Sequence, residues 1–274
     1  MDVTRRRIGD LLLEHAAPPA PSGAPLLYVH GLWGGAWVFE EWLRASAAHG
    51  HEAWAVNLRG HHGSRPVAAL GSVGLEDYVR DVADVLDVVG PAAVVGHSMG
   101  GLVAQIVASR GDVSAAVLIA SAPPPGIPLL TWALLRRMPW YLADVLAPRA
   151  FRARRADTDA LSLNAVPPAH RASVAARLVD DSGRVARQLA LGRVAPPPRP
   201  RCPMLVLGAG RDRLIPPRVQ RRIARRYAAD YLEAPAHGHM LPVEPGWQGP
   251  LAGMLAWLRS RSAAPELAVA ASRR

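Results

Sequence analysis

"VVGHSMGGLV", residues 94–103, carries an apolar run into a helical pattern through a serine set between glycines. A G-x-S-x-G pentapeptide in that setting, strand before and helix after, suits a serine hydroxyl presented at the tip of a sharp strand-to-helix turn. The glycines fit such a turn because flanks without side chains let strand and helix pack closely. The N–H groups at the start of the helix then face any negative charge that develops nearby. The same residues also suit an ordinary helix N-cap, so by itself the stretch leaves Ser98 as either a nucleophile or a capping residue.

On both sides of it, apolar runs alternate with helical patterns. "APLLYVHG" (24–31), "HEAWAVN" (51–57), "AAVVGH" (92–97), "VSAAVLIA" (113–120) and "PMLVLGAG" (203–210) read as strands, with "DYLEAP" (230–235) a weaker one. "LEDYVRDVADVLDVVG" repeats apolar residues at Leu75, Tyr78, Val79, Val82, Leu86 and Val89, a period near that of a helix. "LVAQIVASRG" reads as a helix that Gly111 ends. "PPRVQRRIARRYA" is amphipathic with prolines at its start, and a last helix is expected at about 247–261. Strands alternating with helices predict an α/β fold: a mostly parallel central sheet flanked by helices.

One segment departs from this rhythm. From about 123 to 200 the chain offers only short helical patterns, "LLTWALLRRM", "AHRASVAARLV" and "RVARQLALG", between the proline clusters "SAPPPGIP" and "VAPPPRPRCP". A core strand resumes directly afterwards, which favours a helical insertion, or cap, over a separate domain. The expected organisation is therefore a core of residues 1–122 and 201–262, a cap over 123–200, and a tail over 263–274 with no identifiable partner. Ahead of the first clear core strand only "RIGDLLLEH" could supply a leading strand.

Composition narrows the class of function. The chain has 274 residues, half of them apolar, enough for one large domain. The formal charge of +10 invites a nucleic-acid or anionic-membrane reading. Every basic side chain apart from histidine is arginine, however, and "RRMPW", "RARRAD" and "RVQRRIARRY" scatter them without interleaved aromatics or a binding motif. A solvated basic surface is the expected reading, with no nucleic-acid partner. Cys202 is the only cysteine, so an intrachain disulfide is excluded; beside Pro203 at the start of an apolar run it is expected to be buried rather than reactive, and a reducing cytoplasm fits. The N-terminal region lacks a signal-peptide core, and nowhere do eighteen apolar residues run together, so no integral membrane segment is expected.

A serine hydroxyl needs a base to take its proton and a third group to orient that base. Both are available after the insertion, in the order serine, acid, histidine. Asp212 follows a predicted strand in "LGAGRDRLIPP", and His239 lies in "PAHGHMLPVEP" after the last predicted strand, where catalytic groups gather in open parallel sheets. The loop "SAPPPG" after "VLIA" holds no competing carboxylate, and Asp230 begins a strand.

With these motifs in this order, the chain resembles the α/β-hydrolase superfamily, in its serine esterase and lipase-like form with a helical cap, over about residues 24–260. "YVHGLWGGAW" is similar to the family's HG loop, "NLRGHHGSRP" to its DLRGHGxS loop, "GRDRLIPP" to its acid loop and "GHMLPVEP" to its histidine loop. The resemblance implies Ser98 as nucleophile, His239 as base, Asp212 as triad acid, and the backbone amides of Leu32 and Met99 as the oxyanion hole. Its placement of the histidine after a glycine favours His239 over His237, and Glu244 matches the structural acid that often follows. His30 and His97 belong to motifs whose histidines usually brace turns. His30, Trp33, Trp132 and Leu241 are the candidates for the substrate pocket, and Trp37 for its mouth. Asn57 stands where the family often has Asp, and His62 is an extra residue in the GHG motif; that loop is structural or pocket-lining in relatives. His61 and His62 have no partners at metal-ligand spacing, so neither a metal nor a cofactor is expected.

Relatives that form alkyl esters use a carboxylate where this chain has Ser98, which leaves acyl transfer. The expected activity is hydrolysis of a small hydrophobic carboxylic ester, lactone or thioester through an acyl-enzyme. Two other classes stay open: C–C bond hydrolysis, cofactor-free peroxidase or lyase chemistry in the same site, and a ligand-binding module without turnover.

Overall fold

The computed structural model describes residues 1–129, 131–147, 149–194 and 197–262; the expected tail at 263–274 lies outside the described residues. Ten strands run in chain order: β1 (Thr4–Ile8), β2 (Leu11–Ala16), β3 (Leu26–Val29), β4 (Ala53–Asn57), β5 (Ala93–His97), β6 (Ala115–Ile119), β7 (Ala150–Phe151), β8 (Asp181–Ser182), β9 (Met204–Ala209) and β10 (Asp230–Ala234). Eight of them form one sheet in the order β1-β2-β4-β3-β5-β6-β9-β10. The hairpin β1–β2 is antiparallel, as is the pairing of β2 with β4; every other neighbour is parallel. This is an α/β fold with a mostly parallel sheet.

Strand alternation divides the core into two layers. In β3, Leu27 and Val29 point to one face while Leu26 and Tyr28 point to the other, and all four are fully buried. The first face packs against α2 (Leu75–Val89), α3 (Met99–Arg110) and α9 (Pro217–Tyr227), whose Val82, Val103 and Ile223 belong to the same cluster. The second packs against α1 (Glu40–Ala48) and α10 (Gln248–Ser262) through Trp42, Leu43, Met254 and Leu255. With both faces covered, the central strands are continuously apolar, as a parallel sheet requires. Helix α3 is buried at every position from Met99 to Ala108, so it has no polar stripe of its own.

Both leading strands are present, which corrects the expectation that "RIGDLLLEH" would supply one. The segment is a hairpin: Ile8 ends β1, Gly9 turns with φ +53, and Leu11 opens β2. β1 escapes sequence reading because it is an edge strand of sequence TRRRI with four exposed residues and no alternating pattern.

Between β6 and β9 lies the insertion: α4 (Trp132–Leu135), α5 (Met138–Leu146), α6 (Arg155–Asp157) leading into a π-turn at Thr158–Ser162, α7 (Pro168–Ala176) and α8 (Gly183–Leu191). It also contains the two-residue ladder β7–β8, too short to leave a periodic signal. Its last helix is anchored to the core at the start of α2. The Ser182 hydroxyl, 2.6 Å from the Val73 carbonyl and 3.0 Å from that of Gly71, reaches the loop ahead of α2, and the Leu75 amide donates to the Gln188 side chain at 2.9 Å.

Strand order reverses direction of growth around β3, with β4 on one side and β5 on the other, and in such sheets the crevice beyond the carboxyl ends of these strands is the place for chemistry. The loops leaving β3 and β5 meet there because Gly100 lets α3 approach β3: a Cβ at Gly100 would overlap the carbonyl oxygens of Val29 and His30. Since that clash is with backbone, no rotamer change relieves it. Gly100→Ala is expected to cost about 1–3 kcal/mol, the range for overpacking a close-packed core, read as a lowered urea midpoint.

Candidate active site

At the end of β5, Ser98 takes φ +55 and ψ −119 before α3 begins at Met99. A non-glycine residue in this region carries strain on the order of 1–3 kcal/mol, which the surroundings must hold. They do so by hydrogen bonds: the Ser98 amide donates to Ile119 O at 3.0 Å, and its carbonyl accepts from the amides of Ala122 (2.8 Å) and Gly101 (3.0 Å). A Cβ at Gly96 would overlap the Gly100 carbonyl, and one at Gly31 would lie 2.7 Å from the Ser98 Cβ. The three glycines thus press the turn against the loop after β3, while Ser98 stays half-buried among buried neighbours.

Three sequence-predicted residues share one hydrogen-bonded chain. His239 Nε2 is 3.0 Å from Ser98 Oγ, and His239 Nδ1 is 2.8 Å from Asp212 Oδ2. Because a carboxylate only accepts, it places the imidazole proton on Nδ1 and leaves the Nε2 lone pair facing the hydroxyl. Asp212, on the turn after β9, is fixed by its other oxygen, which accepts from the amides of Leu214 and Ile215, each at 2.8 Å. The histidine loop is held by two further side chains. His97 Nε2 donates to the carbonyl of His239 at 2.8 Å, and Glu244 accepts from the Gly238 amide at 2.6 Å. Burial, with a smaller contribution from the neighbouring His239, pushes His97 down to about 3, so it is a neutral brace. His237 is turned away, its ring 3.5 Å from where a Cβ on Gly246 would sit.

The loop after β3 passes over this chain. His30 is fully buried between two backbone groups: Nδ1 donates to Gly31 O at 2.8 Å and Nε2 accepts from the Leu58 amide at 3.2 Å. Burial holds it at about 3, hence neutral. Among the described residues, neither the Leu32 amide nor the Met99 amide at the first position of α3 is given an acceptor by the protein. Asn57 ties the loop to the sheet, accepting from the Ala36 amide at 2.8 Å and donating to Leu12 O at 3.3 Å.

The four pocket candidates fall in different places. Trp33 lies in the loop itself, its indole N–H donating to Phe151 O of the insertion at 3.1 Å. His30 and Leu241 are enclosed, the former as a brace and the latter in the second core layer. Trp132 stands 71% exposed on α4. Trp37 is buried beneath Arg177, whose guanidinium lies 4.5 Å above its ring. Asp181 of the insertion joins the loop without having been singled out by sequence: it accepts from the Trp33 amide at 2.9 Å. Among the described residues no cluster of His, Cys, Asp or Glu is placed to hold a metal ion, and no helix is long and apolar enough to cross a membrane.

Glu244 generates a pH prediction. Burial raises its carboxyl to about 7, against an ordinary value of 4.5, although the Gly238 amide favours the ionised form. With the folded pKa above the unfolded one, its contribution to stability is full below about 4.5 and is lost as pH rises through 7. Glu244→Gln keeps an acceptor for Gly238 and cannot ionise. Between pH 5 and pH 8 its unfolding free energy in urea, compared with wild type, should therefore shift in the variant's favour; a difference that stays constant across that range overturns the assignment.

Comparisons with known proteins bear on the whole arrangement. The model of the Alpha/beta hydrolase family matches residues 26–247. A rice protein named "Probable esterase PIR7A" (Oryza sativa subsp. indica) is 35% identical over 107 residues, which is 37% of this chain and 40% of that protein. A Mycobacterium phage D29 protein with the provisional name of a non-heme haloperoxidase is 36% identical over 107 residues, 37% of either chain. The matched part thus spans well under half the length of these relatives. Among solved structures, a soluble variant of monoglyceride lipase from Saccharomyces cerevisiae superposes with a TM-score of 0.75 over 95% of both chains at 15% identity, a likeness of fold. The strand order and the family match over most of its length place this chain in the alpha/beta hydrolase family, among folds shared by esterases and lipases.

Proposed function

We propose that the protein is a serine hydrolase of carboxylic esters that works through an acyl-enzyme on Ser98. The observation that carries this reading is the continuous chain Asp212–His239–Ser98, with contacts of 2.8 and 3.0 Å. His239 Nε2 takes the hydroxyl proton as Ser98 Oγ attacks the acyl carbon. The resulting oxyanion is bound by the Leu32 and Met99 amides, the latter at the positive end of α3. His239 then gives the proton to the departing alcohol, accepts one from water, and the hydroxide attacks to release the acid and restore Ser98. Asp212 stabilises the transient imidazolium and prevents the ring from flipping to the unproductive tautomer.

The insertion acts as a cap in this reading. It reaches the loop after β3 through Asp181 and the acid loop through Asn164, whose amide donates to Arg211 O at 2.9 Å. The insertion is rich in apolar residues, with Trp132, Trp140 and Leu142 standing exposed on α4 and α5, and that composition supports a small hydrophobic acyl or aromatic ester.

Turnover of p-nitrophenyl esters of varied acyl length tests the reading, with Ser98→Ala as control. The wild type is expected to hydrolyse short and medium acyl chains, and the variant to lose on the order of a million-fold in kcat by comparison with other serine hydrolases. Asp212→Asn should lose about ten-thousand-fold through the wrong tautomer. Activity that survives Ser98→Ala rules out the acyl-enzyme.

A further inference from the structure

Leu32 is flanked by two peptide planes, and each is clamped by a different part of the molecule. The plane that contains its own N–H also contains the Gly31 carbonyl, which accepts from His30 Nδ1 at 2.8 Å and from the Gly34 amide at 3.2 Å. In a trans peptide the N–H points opposite to the C=O, so these core bonds aim the Leu32 N–H. The next plane carries the Trp33 N–H, and that group is taken by Asp181 of the insertion at 2.9 Å. The Trp33 carbonyl is taken by the insertion as well, accepting from the Val179 amide at 2.9 Å, and its indole N–H reaches Phe151 O at 3.1 Å. Trp33 itself sits at φ +65, a strained position for a bulky residue, so the loop needs such contacts to keep its shape.

The Asp181 carboxylate is fully buried, and three hydrogen-bond donors and the His61 ring converge on it. Oδ2 faces the Trp33 amide and, at 3.1 Å, His61 Nε2; Oδ1 accepts from the Tyr78 hydroxyl at 2.7 Å and from the Ser182 amide at 2.7 Å. His61 presents its other nitrogen to the Arg59 carbonyl at 2.9 Å, so an acceptor oxygen lies beside each ring nitrogen, a setting that favours the protonated ring. Burial alone would push His61 down and Asp181 up, but their mutual attraction reverses both, and hydrogen bonds from Tyr78 and Trp33 reinforce the ionised carboxylate. His61 is in turn fixed by its loop, since the Arg59 amide and guanidinium bind the buried Asp81 of α2 at 2.8–3.1 Å. A single carboxylate thus joins the insertion, the loop after β3, the loop after β4 and α2.

We infer that Asp181 is a positioning residue for the oxyanion hole: by holding Trp33 from the insertion, it fixes the second of the two planes that flank Leu32, keeps the loop from swinging the Leu32 amide off its aim, and makes ester turnover conditional on a docked cap. The inference rests on the acyl-enzyme reading above. It goes further because the carboxylate touches neither Ser98 nor His239 and belongs to no triad. Asparagine at this position would replace one accepting oxygen with an NH2 group amid these donors, leaving at least one of them unpaired and the loop free to relax. The loss should fall on the transition state, where the oxyanion forms, and not on ground-state binding.

The test uses the full chain, p-nitrophenyl butyrate and butylboronic acid, whose tetrahedral adduct with Ser98 places an oxygen in the oxyanion hole. Asp181→Asn, checked for folding by circular dichroism, should lower kcat about tenfold to a hundredfold, below the cost of deleting an oxyanion donor outright. KM should stay within about twofold, and the boronate Ki should rise by the factor lost from kcat/KM. A folded variant with unchanged kcat, or with a lower kcat and an unchanged boronate Ki, overturns the positioning role while leaving the acyl-enzyme standing. A wild type without Ser98-dependent ester hydrolysis overturns both. If Asp181→Asn does not fold, Tyr78→Phe loosens the same carboxylate from α2: a fall in kcat of about threefold or more with a matching rise in Ki supports the role, and no change in either counts against it.

Discussion

The close approach of the β5–α3 turn to the loop after β3 is the constraint on which everything else rests. It is a backbone-to-backbone contact, Gly100 against Val29 and His30 and Gly31 against the Ser98 side chain, and it admits no Cβ at the glycine positions. Within it Ser98 takes φ +55, α3 begins at the next residue, the loop that carries Leu32 lies against the serine side chain, and the hydroxyl meets His239. Strain of this kind survives only where surrounding bonds outweigh it, and β6 and the loop after it supply them through Ile119 and Ala122. The fold is therefore a rigid holder for a strained turn.

What could be read from sequence was whatever has a local cause. Strands β3, β5, β6 and β9 are short apolar runs bounded by turn residues, and a buried parallel sheet has to look like that. The order of Ser98, Asp212 and His239 was legible because each follows a strand end. Less legible were elements whose stability is borrowed. β1 owes its existence to pairing with β2, β7 and β8 are two residues each, and none of the three carries a pattern of its own. Pocket candidates suffered in the same way: sequence marks Trp132 and His30 as conspicuous residues, but whether a ring faces a cleft, a core or solvent is decided by packing partners far away in the chain.

Asp181 is the sharpest case of a non-local cause. In "VDDSGR" it is one of two adjacent carboxylates ahead of a helix-capping serine, and nothing nearby distinguishes it from Asp180, which is exposed and pairs at the surface with Arg152. The partners that give it meaning are Trp33, His61 and Tyr78, more than a hundred residues upstream. In "GHHG", likewise, nothing local separates His61 from His62, whereas it is His61 that carries the buried contact.

A buried ion pair seldom stabilises a fold more than apolar residues of the same volume would, because desolvation offsets much of the attraction. The Asp181–His61 pair is therefore poorly explained as a means of fastening the insertion, which α8 already achieves through Ser182 and Gln188 at the start of α2. What such a pair does supply is geometric definition: a carboxylate held by three hydrogen bonds and the His61 ring has few alternative arrangements, whereas an apolar contact tolerates sliding. At the loop that carries Leu32, orientation is what matters, since an amide dipole acts on a developing oxyanion only when it is aimed beforehand. Under the proposed acyl-enzyme chemistry, the cost of burying the pair makes sense at a place where a small shift of the loop would be felt in the reaction.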